Sequence, residues 1–167
     1  MLHKSTEFAR IVRDVFGRDS DKIETIATRA AELLGEDTIV WEGDPQTFQF
    51  SFVSPSAERV LGHECSLWTT NATFWADQVV HPLDRDDAIA YCALATGKSA
   101  DHAFEYRARR SDGATVWLVD YVRVVVGPRR VPERLRGVMV DVTEAKQAAE
   151  DARWEDPPRP TLEQRLS

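Results

Sequence analysis

The stretch at residues 101–121 has the pattern of two strands joined by a tight turn. Apolar and polar residues alternate at 104–107, Ser111-Asp112-Gly113 follows, and a second apolar run occupies 116–119. Asp-Gly readily adopts the positive φ angles that short hairpins require. The sequence therefore predicts a β-hairpin here, and with it an antiparallel sheet.

The second strand of this hairpin is apolar on both of its faces. The two faces carry, respectively, Val116, Leu118, Val122 and Val124, and Trp117, Val119, Tyr121 and Val125. A strand that is buried on one side only should alternate with polar residues. We therefore expect both faces to be covered, one by the domain's own helices and the other by N-terminal helices or a partner subunit.

Two amphipathic helices are predicted ahead of the sheet, within residues 4–34. The first has an apolar stripe at helical spacing, formed by Phe8, Ile11, Val12, Val15 and Phe16. The second runs from Ile23 to Leu34, before a natural stop at Gly35. These stripes require a cover, either this chain's own sheet or a second copy. We expect a homodimer to whose interface residues 4–34 contribute.

Four blocks of sequence follow one another in an order that is typical of a known family. They are Phe52–Gly62, Trp75–Arg85, the hairpin at 101–121 and Gly137–Glu144. Together they resemble a PAS sensor domain with its C-terminal PAC portion, over roughly residues 37–147. The resemblance implies an α+β fold, in which a five-stranded antiparallel sheet has helices on one face and is preceded by the N-terminal amphipathic helices.

The same resemblance implies three segments. A helical flank occupies residues 1–36, the PAS/PAC domain occupies 37–143, and an exit helix with a linker occupies 144–167. The last seven residues resemble the lead-in to the dimerisation helix of bacterial sensor histidine kinases. The chain thus resembles the N-terminal input region of such a kinase, with the output domain lying outside it.

This resemblance implies a signal-sensing and dimerisation module that is not itself an enzyme and regulates an output domain in a two-component histidine kinase. Signal transmission is expected through Asp141, Val142 and Thr143, at the start of the exit helix, which Thr143 is placed to cap. Two alternatives stay open. One is a redox, gas or light sensor carrying flavin or haem, and the other is a ligand-free protein–protein interaction domain.

Many members of the family have a cavity between the sheet and the helices, and this chain has aromatic and apolar residues to line one. The candidates are Trp41, Phe50, Phe52, Trp68, Phe74, Trp75, Phe104, Tyr106, Leu118 and Val122. Walls of this kind suit a small organic ligand. The pattern is equally compatible with a filled core.

Cys65 and His81 are the candidates for binding a cofactor. Flavin-binding LOV members of the family have a Gly-x-x-Cys where Gly62–Cys65 stands, but the Asn and Gln that contact flavin are not evident after it. In some haem-binding members a His follows the Asp-Arg pair by three residues, where this chain has Ala88. We therefore predict a colourless protein without flavin or haem. No His has a second ligand at helical spacing, so no metal site is predicted.

The net charge of −7 argues against nucleic acid or an anionic membrane as a partner. No apolar run approaches the roughly 20 residues of a membrane span, and the N-terminus has no signal-peptide core. Cys65 and Cys92 are too few for a disulfide framework. We expect a cytoplasmic protein with two free thiols. Four arginines are predicted to form a solvated basic loop: Arg129, Arg130, Arg134 and Arg136.

Overall fold

The computed structural model describes residues 6–155 and has an antiparallel sheet at its centre. Its five strands are β1 (Ile39–Gly43), β2 (Phe50–Val53), β3 (His102–Arg109), β4 (Thr115–Val126) and β5 (Pro132–Asp141). They lie in the order β2-β1-β5-β4-β3, and every neighbouring pair is antiparallel. This confirms the predicted five-stranded sheet.

Helices precede, interrupt and follow the strands. Helices α1 (Thr6–Phe16) and α2 (Ile23–Leu34) come first, as predicted. Between β2 and β3 lie α3 (Ser56–Leu61), α4 (Cys65–Thr70), a π-helical turn (Trp75–Val79) and α5 (Arg85–Gly97). Helix α6 (Thr143–Glu155) follows β5. The predicted lead-in at 161–167 lies outside the described residues.

The hairpin that the sequence predicts joins β3 to β4. Arg109 pairs with Thr115, and the Arg110 amide donates to the Ala114 carbonyl at 2.8 Å. Gly113 has a φ of 89°, a value that a β-branched side chain would strain. The turn therefore lies at Asp112-Gly113, as the sequence predicts.

The sheet has a separate apolar core on each face. One core lies under α3–α5 and contains the inward-facing residues of β4 from Val116 to Val124. The other lies under α1 and α2, which cover Val40 and Val138. Both faces of the sheet are therefore covered, as the apolar residues on both faces of β4 predict. The helices that cover the second face belong to the same chain.

The register of β2 shifts beside β1, which changes where one predicted pocket residue lies. Trp41 pairs with Val53 and Glu42 with Phe52, but Gly43 pairs with Phe50, so Ser51 is an extra residue. A bulge of this kind reverses the side chains beyond it. Phe50 therefore lies in the helix-side core, whereas Phe52 packs against α1 and α2. The prediction that Phe52 lines the cavity is wrong for this reason.

Two of the arginines predicted to form a solvated loop are structural. Arg136 is 5% exposed and pairs with Glu42 at 2.8 Å. Both Arg134 and Arg136 donate to the Asp19 carbonyl, at 3.0 and 3.2 Å. These bonds fasten the α1–α2 connection to the end of the sheet.

Candidate functional site

A narrow cavity lies between the helix-side face of the sheet and α5. Its volume is about 10 Å³, at the lower limit for holding one water molecule. It is lined by Trp41, Phe48, Phe50, Trp75, Cys92, Phe104 and Asp120. Four of the predicted pocket residues, all aromatic, are among these lining residues.

The cavity contains a buried carboxyl group. Asp120 lies between Leu118 and Val122 on the inward face of β4 and is 1% exposed. The Trp41 indole donates to Oδ1 at 3.0 Å, and the Tyr106 hydroxyl donates to Oδ2 at 3.1 Å. The Trp75 indole in turn donates to the Tyr106 oxygen at 3.1 Å. The network therefore directs neutral donors at both oxygens of one acid.

Burial changes the ionisation of this network. It raises the pKa of Asp120 to about 7, against the lowering effect of the bonds from Trp41 and Tyr106. It also raises the pKa of Tyr106 well above its ordinary value, which the neighbouring Asp120 charge reinforces. The phenol is thus neutral near pH 7, where the carboxyl changes its charge.

A thiol–imidazole pair lies at the edge of the cavity. The Nδ1 of His102 is 2.9 Å from the Ala100 carbonyl, which only accepts, so Nδ1 carries the hydrogen. Nε2 is then the acceptor for the Cys92 thiol at 3.4 Å. Burial raises the pKa of Cys92 to about 12 and lowers that of His102. Both groups are therefore favoured in their neutral forms.

Phe48 brings its ring to the cavity from a strained backbone. It lies in the β1–β2 loop with a φ of 60°, and its amide donates to the Asp44 carbonyl at 2.9 Å. Asp44 also accepts from the amides of Gln46 and Thr47, at 2.8 and 3.0 Å. Gly or Asn usually occupies such a positive-φ position in a hairpin loop. The position of the Phe48 ring at the cavity therefore costs conformational energy in the backbone.

The other predicted pocket residues lie nearby but not on the cavity wall. Trp68 stacks at 5.5 Å behind Phe50, and Phe74 lies 5.5 Å beyond Trp68. Tyr106 reaches the site through its hydroxyl, while Leu118 and Val122 are buried in the same core. Sequence reasoning missed three lining residues: Phe48, Cys92 and Asp120. The alternation of β4 already places Asp120 among the inward residues.

The two cofactor candidates make ordinary structural contacts. Cys65 is half-buried beside the core, its thiol lies 3.6 Å from the Ser54 carbonyl, and burial raises its pKa. His81 accepts the Leu83 amide at 3.1 Å through Nδ1, at the turn before α5. Within residues 6–155, no three His, Cys, Asp or Glu side chains are grouped to bind a metal, and no helix is long and apolar enough to cross a membrane.

The three predicted signal-transmission residues form one hydrogen-bonded junction with β4. Asp141 Oδ1 accepts from the Thr143 amide at 2.9 Å and from its hydroxyl at 2.6 Å. The Trp117 amide donates to the Thr143 hydroxyl at 2.9 Å, and the Val142 amide donates to the Trp117 carbonyl at 2.9 Å. The hydroxyl of Thr143 therefore bonds to the sheet rather than capping α6, contrary to the prediction.

The first turns of α6 rest on the indole of Trp117. The Lys146 ammonium lies 4.2 Å from the ring centroid and pairs with Glu105 at 2.8 Å. The Arg107 guanidinium lies 5.6 Å from the same ring. The exit helix thus contacts both β3 and β4 through charged and aromatic groups.

Four of the five predicted dimer residues pack in the core that covers the sheet of their own chain. Val12, Val15 and Phe16 are each at most 5% exposed. Phe8 packs its ring 5.6 Å from Tyr121, and Ile11 is half-buried. The three buried side chains are therefore already covered without a second copy.

Comparisons with known proteins agree on the architecture. The family described as "PAS fold" matches residues 50–139, which is more than half of the chain. No curated protein matches. Among solved structures, the N-terminal domain of a diguanylate cyclase with PAS/PAC sensor from Marinobacter aquaeolei is 31% identical, with a TM-score of 0.61. That match covers 65% of this chain and 98% of the other.

Two more distant structures share the fold alone. A sensory box histidine kinase/response regulator from Burkholderia thailandensis is 23% identical over 75% of this chain and 91% of its own, with a TM-score of 0.59. The PAS domain of the fruit-fly ELK potassium channel is 13% identical over 74% and 99%, with a TM-score of 0.56. From the sheet, the helix-side cavity and these matches together, the chain belongs to the PAS family of sensor domains.

Proposed function

We propose that this chain is a non-catalytic, cytoplasmic sensing and dimerisation module that regulates an output domain following α6, in a two-component histidine kinase. The observation that carries the proposal is the junction at Asp141–Thr143, where the hydrogen bonds of β4 continue past the end of β5 into the first residue of α6. The choice of a histidine kinase follows the resemblance of residues 161–167 to the lead-in of such a kinase's dimerisation helix. The two free thiols suit a reducing compartment.

The proposed mechanism links the cavity to the exit helix along β4. Asp120 lines the cavity, and Trp117, three residues earlier on the same strand, bonds to Thr143 and supports Lys146. A change of packing around Asp120 shifts β4 relative to β5 and so changes the position of α6. A ligand or partner that binds one arrangement better shifts the population toward it.

A fusion to the catalytic region of a dimeric histidine kinase tests this mechanism. The kinase's own sensor is replaced by this chain joined through α6, and autophosphorylation is measured. Phe48→Ala, which alters the cavity, should change the rate, and adding Thr143→Val should abolish that change because the bond to Trp117 is lost. Thr115→Val is the control: it makes the same substitution at an exposed position of β4, the strand of Trp117, and should preserve the effect of Phe48→Ala. An unchanged rate in the Phe48→Ala fusion would contradict the proposal.

Trp117→Ala should weaken the attachment of α6 more than the sheet itself. The ring is half-buried and carries two cation–π contacts, so the expected loss is about 2 kcal/mol of unfolding free energy. Trp117→Phe should recover a large part of it. Urea denaturation gives the stability, and hydrogen exchange should show lost protection concentrated in α6. Protection of α6 identical to wild type would mean that the ring does not hold the helix.

The homodimer is tested through the part of α1 that the sheet leaves half-exposed. We expect Ile11→Glu to shift the chain from dimer to monomer in sedimentation velocity, because a charge in an apolar interface is costly. Val131→Glu, at a 53% exposed position on the β4–β5 loop, is the matched control and should remain dimeric. A wild-type chain that sediments as a monomer, or an Ile11→Glu variant that stays dimeric, refutes a dimer through α1.

A second candidate function is a protein–protein interaction domain that needs no small ligand. The cavity volume of about 10 Å³ favours it, since this space is too small for an organic ligand unless the wall moves. Native mass spectrometry with an absorption spectrum of gently purified protein separates the two candidates. The same spectrum tests the expectation that the chain carries neither flavin nor haem.

A further inference from the structure

The proposed function leaves the buried acid in the cavity unexplained. Asp120 is 1% exposed, and its two hydrogen-bond donors, the Trp41 indole and the Tyr106 hydroxyl, are neutral. A buried carboxylate is costly unless a positive charge is paired with it. Replacing it by an apolar residue would make an ordinary core. When it is ionised, Asp120 therefore supplies the anionic half of an ion pair that neither of these donors completes.

The other residues that line the cavity suit a cation that would pair with Asp120. Aromatic faces attract cations, and a cluster of them with one acid forms a site for an organic ammonium. Trp41 and Phe50 stack with their centroids 4.6 Å apart, and Trp75 meets Phe104 edge to face at 6.4 Å. All four rings line the same cavity as Asp120. The wall thus places four aromatic rings around a single acid.

The carboxyl also retains capacity to accept hydrogen bonds. An ionised carboxylate has about four acceptor positions, and the described contacts of Asp120 use one on each oxygen. A primary ammonium has three N–H donors, whereas a quaternary ammonium has none. The free acceptor positions therefore favour a primary amine over a quaternary one.

Phe48 provides the route by which the cavity widens. Its backbone is held at a φ of 60°, a strained value for a bulky residue, and its half-buried ring lines the cavity. A change of the Phe48 backbone to a negative φ would relieve the strain, carry the ring outward and add space beside Asp120. Loop 44–49 joins β1 to β2, so the same movement acts on the edge of the sheet.

We propose that the cavity binds a small primary alkylammonium, with Asp120 as its counter-ion and the Phe48 ring displaced on binding. This inference rests on the proposed function, because it takes the cavity as the sensory site and names the class of its ligand. Trp41 and Tyr106 orient the carboxylate, and the surrounding rings exclude water from the ion pair.

Affinity for such a ligand should depend on pH in a definite direction. The free carboxyl has a pKa of about 7, so a proton competes with the ammonium, and affinity should rise from pH 6 to pH 8. Two titratable groups face Asp120, Tyr106 from β3 and Cys92 from α5, and His102 lies behind Cys92. On β5 its neighbour is Met139, which has no charge. Burial favours the neutral forms of Tyr106, Cys92 and His102, so none of them offsets the charge of Asp120.

Three probes of equal chain length separate charge from shape: n-propylammonium, 1-propanol and propionate. Isothermal titration of the full chain at pH 8 should give n-propylammonium an affinity about tenfold above 1-propanol, with no binding of propionate. Asp120→Asn should remove this preference, whereas Asp87→Asn, an exposed acid on α5, should keep it. Phe48→Ala should raise the affinity for the ammonium and serves as a second test if Asp120→Asn fails to fold.

Equal affinity for the alcohol and the ammonium, the same preference in Asp120→Asn, or an ammonium affinity in Phe48→Ala no higher than in wild type overturns the proposal. The kinase fusion separates this failure from failure of the proposed function. A fusion that still responds to Phe48→Ala while ammonium preference is absent removes only the ligand class. Ammonium preference with an unresponsive fusion removes only the output role.

Discussion

Replacing Asp120 by Asn is expected to remove a loss of stability that the wild-type chain suffers between pH 5 and pH 8. Burial raises the pKa of this carboxyl from 3.8 to about 7. In the unfolded chain the acid ionises near pH 4, whereas in the folded chain it holds its proton until near pH 7. The contribution of Asp120 to the free energy of unfolding is therefore most favourable at low pH, and it falls as pH rises toward 7.

The size of the effect follows from the shift. At about 1.4 kcal/mol for each pH unit up to the folded pKa, the wild-type chain should lose about 3 kcal/mol between pH 5 and pH 8 relative to Asp120→Asn. The asparagine amide leaves the Tyr106 hydroxyl without its acceptor, which adds a constant cost at every pH. That constant cancels when the difference between the two proteins is followed with pH.

Urea denaturation at several pH values provides the measurement. Burial also lowers the pKa of His102, but this residue is present in both proteins and its contribution cancels in the difference. Acids whose pKa is lowered, such as Asp84 beside Arg107, make stability depend on pH mainly below their ordinary pKa of 3.8, which lies outside the range from pH 5 to pH 8. Parallel stability curves for wild type and Asp120→Asn between pH 5 and pH 8 would show that the carboxyl is not protonated in the folded chain.

Local patterns in the sequence were sufficient to predict the sheet and its covers. The Asp112-Gly113 turn set the hairpin, and apolar residues on both faces of β4 indicated two cores. Both signals depend on short-range rules: turn chemistry and a period of two. The sequence left open whether the second face is covered from within, because an apolar stripe on α1 fits a sheet and a second copy equally well.

The candidate site was less predictable because it depends on register and backbone strain. The bulge at Ser51 separates Phe50 from Phe52, although simple alternation places them on one face. Phe48 reaches the cavity only through a positive φ that a sequence rule would assign to Gly or Asn. Asp120 lies on the inward face by the alternation of β4, but the apolar residues around it indicate only a buried strand and not a polar site.

The same fold in a cyclase sensor, a kinase sensor and a potassium channel shows that the sheet does not determine the output. The output must therefore depend on side chains, and the cavity and the junction are where this chain couples its sheet to α6. Asp120 and Trp117 both lie on β4, so the site and the exit helix depend on one strand. The position of β4 against β5 is therefore the feature whose perturbation should have the largest consequences.

Gly137→Ala should disturb the contact between β5 and Trp41, and with it the hydrogen bond from Trp41 to Asp120 on β4. Gly137 on β5 pairs with Trp41 on β1 and Val122 on β4, and the Trp41 indole lies across it. An added Cβ would stand 1.9 Å from the indole Nε1 and 2.0 Å from Cε2, so the ring must move. Movement costs packing energy and breaks the bond from Trp41 to Asp120, for a combined loss of about 3–5 kcal/mol.

Gly97→Ala is the matched control, because its Cβ would meet nothing within 4 Å at the end of α5. We expect it to leave stability unchanged or to raise it by up to about 1 kcal/mol, since alanine restricts the unfolded chain. Urea denaturation at one pH compares the two variants. A Gly137→Ala protein as stable as Gly97→Ala would mean that the indole does not rest on β5. The link from β5 through Trp41 to Asp120 would then have no physical basis.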